Sequence, residues 1–183
     1  MPKPSLIVVI LEDDRQRGLV YRYLRRRGLS PHEIRTKLSP AGRGSAEHWV
    51  RKMYATEVKA YRLRRAKAST ALIVMIDADL HTVQARMTQL SNALGENGVQ
   101  GVGDAEEIAR LVPKRNVEAW ILCLTEQPVD EDDDYKHARY DWNELTPRAS
   151  ENLFRWTRSN AVLPKFCIGS LRRGVTELNR LAF

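Results

Sequence analysis

The sequence predicts an α/β fold, a three-layer sandwich with a mainly parallel central sheet and a helical C-terminal tail. Three observations predict it. Two runs of aliphatic and β-branched residues, Leu6 to Leu11 (LIVVIL) and Leu72 to Ile76 (LIVMI), are apolar without alternation, as strands covered on both faces must be. Segments of helical spacing separate them, so strand and helix alternate along the chain, which implies parallel strands joined by right-handed crossovers. The length of 183 residues suits one domain on a prior of roughly 150 residues per domain.

Taken in order, Leu6 to Leu11 ends abruptly at Glu12. Arg15 to Arg27 spaces Leu19, Val20, Tyr23 and Leu24 as a helix between arginines, with Gly28 as its stop. Ile34 to Leu38 alternates like a shorter strand, and Ser39, Pro40, Gly42 and Gly44 make a loop that carries Arg43. Ser45 can cap a long basic helix from about Ala46 to Ala68, with Trp49, Val50, Met53, Val58, Tyr61 and Leu63 for its buried side. After LIVMI, closed by Asp77, Thr82 to Leu94 reads as a helix and Ile108 to Val112 as a third core strand ended by Pro113. Asn116 caps a short apolar helix, Val117 to Leu124, in which Trp120 reads as core. Pro147 to Arg158 and Pro164 to Phe183 are expected to be helical. The core is expected over residues 6 to 124 of a single domain, with 125 to 183 as an extension.

At 43% apolar and 29% charged residues, with 10 Gly and 8 Pro, the composition excludes collagen-like, disordered and disulfide-scaffold chains. No run of about 18 apolar residues and no signal-peptide pattern is present, so a cytoplasmic protein without a membrane partner is expected. Cys123 and Cys167 sit singly in apolar surroundings, without the spacing of a zinc site, and are expected to be buried thiols. The net charge of +7 is segregated along the chain. Arginines follow the first strand and populate the long helix, while Asp130, Glu131, Asp132, Asp133 and Asp134 form an acidic block that reads as a solvated loop. The excess of positive charge permits a polyanionic partner.

Ligands of open α/β sheets bind beyond the carboxyl ends of the strands, where Glu12, Asp13 and Asp14 follow one run and Asp77 and Asp79 another. In extended backbone Asp77 and Asp79 share a side, and neighbouring parallel strands lie only about 4.8 Å apart. Like charges about 4 Å apart repel by about 4 kcal/mol at an effective dielectric near 20, so gathering Glu12, Asp77 and Asp79 requires protons, basic neighbours or a cation. Mg2+ (or Mn2+) is a hard ion held by carboxylates and phosphate oxygens, and phosphodiester chemistry suits that donor set. Asp13 and Asp14 read equally as helix-capping residues.

An apolar strand closed by Glu (LIVVILE) and a later one closed by Asp-x-Asp (LIVMIDAD) resemble the TOPRIM domain, a Rossmann-like family of topoisomerases, primases and overcoming-lysogenization-defect nucleases. The segment PKRNVEAWIL (Pro113 to Leu122) is similar to one in small stand-alone TOPRIM proteins of prokaryotic defence neighbourhoods. The resemblance covers residues 6 to 124 and departs from many members at Asp13, where they carry Gly. It implies a metal-dependent nuclease acting on DNA or RNA in defence against foreign nucleic acid. Glu12 would be general acid/base or metal ligand, Asp77 and Asp79 metal ligands, and Glu118 a further metal-site or catalytic carboxylate. Lys114 and Arg115 would stabilise phosphate charge, Arg43 would clamp a phosphate, and His81 would contact substrate. The chain has no P-loop, which leaves ATP hydrolysis to a partner ATPase; homo-oligomers are compatible with the resemblance. Two rival readings are a non-catalytic nucleic-acid-binding or regulatory subunit, for which the basic helices speak, and a receiver-like phospho-acceptor domain, for which the opening LIVVILEDD speaks.

Overall fold

The computed structural model describes residues 3 to 41 and 45 to 183. Arg43 lies outside the described residues. The strands β1 (Leu6–Leu11), β2 (Ile34–Leu38), β3 (Thr70–Met75) and β4 (Ile108–Leu111) form one parallel sheet in the order β2-β1-β3-β4. Val9 stands level with Thr36 on one side and Ile73 on the other, and Ile73 with Ala109. β1 and β3 bury every side chain from Ile7 to Leu11 and from Thr70 to Met75, which is why they carry no polar alternation.

Alternate residues of β1 serve opposite layers. Ile7, Val9 and Leu11 join a core with α1 (Asp14–Arg26), α4 (Val117–Leu124), α5 (Trp142–Trp156) and α6 (Gly169–Leu178). Val8 and Ile10 join a second core with α2 (Ala46–Arg65) and α3 (Val83–Glu96). The chain first steps from β1 outward to β2 through α1, then returns past β1 to β3 through α2 on the opposite face. That reversal creates a crevice at the carboxyl ends of β1 and β3, the position at which open parallel sheets hold ligands.

The sandwich and helical tail agree with the sequence expectation, with two local corrections. α5 begins at Trp142, not Pro147, because Asp141 accepts hydrogen bonds from the N–H groups of Asn143 and Glu144, at 3.1 and 3.2 Å. Pro147, where the helix is expected to start, lies inside it. Leu63 is 74% exposed, since the buried stripe of α2 runs instead through Val50, Tyr54, Ala55, Glu57, Val58 and Tyr61. The acidic block is the exposed loop expected, and it is tied down as a strap: Glu131 accepts from the N–H of Ser170 at 2.9 Å, Asp134 from Asn116 at 2.8 Å, and Asp132 pairs with Lys114.

Cys123 and Cys167 are both free and buried, and their thiols donate to the carbonyls of Phe166 and Ile168, each at 3.7 Å. Among the described residues, no helix is long and apolar enough to cross a membrane.

The extension packs the sheet's far edge. α6 lies along β4, where Glu177 accepts from the backbone N–H of Arg110 at 2.8 Å, and Glu107 accepts from that of Ala182 at 3.1 Å. Trp120 is fully buried beneath α6, with its indole N–H on Ser170 Oγ at 2.8 Å. A Cβ at Gly174 would stand 2.3 Å from that ring. With the indole tethered, Gly174→Ala is expected to cost about 1–3 kcal/mol in chemical denaturation. An unchanged midpoint would contradict this account of the packing.

Candidate active site

Glu12 leaves β1 at the crevice, and Asp13 caps α1 by accepting from the N–H groups of Arg15 and Gln16, each at 2.9 Å. The cap directs the first turn of α1 back over the strand ends. Gln16, fully buried, then bridges the site: its Oε1 accepts from Glu12 N at 2.9 Å, and its Nε2 donates to Glu12 Oε2 at 3.1 Å and Asp77 Oδ1 at 3.0 Å. Glu12 Oε2 also accepts from the Asp77 N–H at 2.7 Å. Neighbouring strands and one glutamine thus unite Glu12 with Asp77.

Glu118, in the first turn of α4, presents Oε1 to Arg15 Nε at 2.8 Å. Its Oε2 and the Oδ2 of Asp77 are buried without a hydrogen-bond partner. Burial pushes the Asp77 carboxyl well above the usual carboxylate range, reinforced by the charges of Glu12 and Asp13. Burial also raises Glu12, against the Asp77 N–H that favours its charged form, and raises Glu118 despite the field of Arg15. Three carboxyls are therefore held where their negative charge is poorly compensated.

Asp79 departs from the expected geometry. Its φ of 53° puts it in a left-handed turn closed by His81 N–H on Ala78 O at 2.9 Å, so the extended backbone that would align it with Asp77 ends at Ala78. Its carboxylate instead meets the buried Arg86 at 3.4 Å and Lys136 at 3.6 Å. Arg86 is itself anchored on Glu47 at 2.6 Å, and Arg115 donates to the carbonyl of Asp79 at 3.1 Å. Lys114 is turned to Asp132 in the acidic strap, and His81 is exposed at the entry to α3.

Gln16 and Lys136 are absent from the sequence expectation. Burial works against the charge of Lys136, yet the combined fields of Asp77, Asp79, Glu12 and Glu118 outweigh it and raise its pKa. This ammonium, delivered by the loop before α5, is a countercharge shared by all four carboxylates. Replacing Gln16 by leucine should strand the Glu12 N–H and an oxygen of Asp77, and is expected to destabilise the protein by about 1–3 kcal/mol. Urea titration measures this; an unaltered midpoint would show that the bridge carries no net stability.

Among the described residues, no three His, Cys, Asp or Glu side chains stand gathered as a ready metal-ligand group. The donor chemistry nevertheless fits a hard cation: Asp77 and Glu118 each keep a buried oxygen without a hydrogen-bond partner, and Asp77 adjoins Glu12 through its N–H. No protein-family model matches the chain, and no curated protein or solved structure matches it.

Proposed function

We propose that the protein is a Mg2+- or Mn2+-dependent phosphodiesterase that cuts nucleic acid, TOPRIM-like in the arrangement of its acidic residues. The observation that carries this reading is the pair of partnerless buried oxygens on Asp77 and Glu118, in a crevice that Glu12 shares. Burying carboxylates without partners is costly, and a divalent ion offsets that cost. Asp77, Glu118 and Glu12 would hold the ion, with Asp79 at the rim. When bound, such an ion polarises a phosphoryl oxygen and yields hydroxide at neutral pH.

The chain's own groups do the rest. Glu12, held by Gln16, would either complete the ion's ligands or, left free of it, exchange a proton with the attacking or leaving oxygen. Arg15, Arg115 and Lys136 surround the crevice with positive charge that favours a phosphodiester and its transition state. A role in defence against foreign nucleic acid, and control by a partner ATPase, are proposed from the family resemblance.

One observation favours a second reading. Lys136 already supplies a cation to the carboxylates, as a non-catalytic nucleic-acid-binding subunit would require. Incubating the purified protein with plasmid, single-stranded DNA and RNA in Mg2+ or Mn2+, against EDTA, separates the two. Metal-dependent cleavage of at least one substrate is expected. Intact substrates throughout would overturn the nuclease reading in favour of the binding subunit.

A further inference from the structure

Beside the carboxylates, the face shared by α1 and the entry to α5 carries an aromatic pair and Arg22, which the proposed hydrolysis does not use, together with Arg15, which serves both. Tyr140 and Trp142 pack as a tilted pair, ring centroids 5.3 Å apart, with Tyr140 39% exposed and Trp142 partly so. The guanidinium of Arg15 lies over the Trp142 ring, 4.6 Å from its centroid, while its Nε holds Glu118. One side chain therefore joins the aromatic pair to the carboxylate crevice. A cleft of about 220 Å³ opens there between Arg15, Gly18, Arg22, Trp142, Asn143 and Thr146. It continues into a second hollow bordered by Arg17, Tyr21 and Thr36. Asp14, the acidic group on this rim, is neutralised by Arg17 at 2.6 Å.

The first hollow is smaller than the roughly 300 Å³ at which clefts for whole drug-sized ligands begin; Trp142 and the guanidinium groups of Arg15 and Arg22 line it, and Tyr140 extends the aromatic surface beyond its edge through Trp142. That combination recognises nucleic acid whose bases are unstacked: every base offers a π-face to an aromatic ring, and arginines track the backbone. A duplex keeps those faces inside. We propose that this groove seats single-stranded nucleic acid, with a base against Tyr140 and Trp142 and flanking phosphates on Arg15 and Arg22. The strand then runs past Arg15 toward Glu118 and Glu12. Cleavage of that strand at the carboxylates rests on the nuclease reading, whereas its binding in the groove does not.

The test measures fluorescence anisotropy of a labelled single-stranded oligonucleotide of about 12 nucleotides in EDTA, where no cleavage intrudes, against the same sequence annealed as a duplex. Single strands are expected to bind about tenfold or more tightly than duplex, and Tyr140→Ala and Arg22→Ala each to weaken binding about tenfold. Trp142 also packs on the core, so Trp142→Phe is used there. It should retain binding and lose the indole quenching that accompanies it in the unmodified protein. Equal affinity for duplex, or no effect of Tyr140→Ala and Arg22→Ala, overturns the proposal. Single-strand preference with no cleavage of any substrate supports it while removing the nuclease reading.

Discussion

Asp77→Asn is expected to lower nucleic-acid cleavage by on the order of 10²–10³-fold, as loss of a preorganised charged group at a reacting centre does. Asparagine preserves the shape and still accepts from Gln16, which donates to Asp77 Oδ1 at 3.0 Å. The buried, partnerless Oδ2 becomes an amide without charge. Folding should therefore be maintained, with an unfolding midpoint equal to or above that of the unmodified protein at pH 8. Oligonucleotide binding in EDTA should be unaffected. Persistent cleavage would put the chemistry somewhere other than the β1–β3 crevice. A lowered midpoint would instead attribute any loss to misfolding.

Metal-free protein should become less stable as pH rises above the ordinary carboxylate range near 4. Glu12, Asp77 and Glu118 all have folded-state pKa values above their ordinary ones, chiefly through burial. Their stabilising contribution is complete below the unfolded carboxylate values near 4. It is lost as pH climbs through the raised folded values, because the unfolded chain releases its protons first. Glu47 and Glu106, lowered by their arginine partners against burial, act in the opposite sense only at more acid pH. An unfolding temperature several degrees lower at pH 8 than at pH 5.5 is expected in EDTA, at about 2–4 °C per kcal/mol for a chain of this size. Mg2+ should recover most of that difference at pH 8 and little at pH 5.5, where protons compete for the same oxygens. A flat profile in EDTA, or an equal Mg2+ effect at both pH values, would show that the carboxylates neither share the strain of burial nor relieve it through the metal.

The legibility of these features depends on the trace each leaves in a sequence. β1 and β3 are readable because burial on both faces demands unbroken apolar runs, and α4 because its residues from Val117 to Leu124 are buried behind an Asn116 boundary. The meeting of Glu12 with Asp77 is readable from the alternation that makes their strands parallel neighbours. Asp79 is not, since a left-handed turn at a residue other than glycine has no periodic signature. Gln16 does leave a trace: it precedes Leu19, Val20, Tyr23 and Leu24 by three, four, seven and eight positions, which places a polar residue on the buried stripe of α1. Lys136 leaves none, because its position depends on how the strap beyond α4 folds back, and neighbouring acidic residues disguise it as surface.

The tail resolves a difficulty that any open sheet faces. A border strand with exposed amides is a template on which another polypeptide can assemble, and proteins guard such borders with charge or cover. The β2 border carries Arg35 and Lys37, whereas β4 surrenders the Arg110 amide to Glu177 and lies beneath α6. The last helix thus covers the border strand, leaving the Arg110 amide satisfied within the chain and closed to an incoming strand.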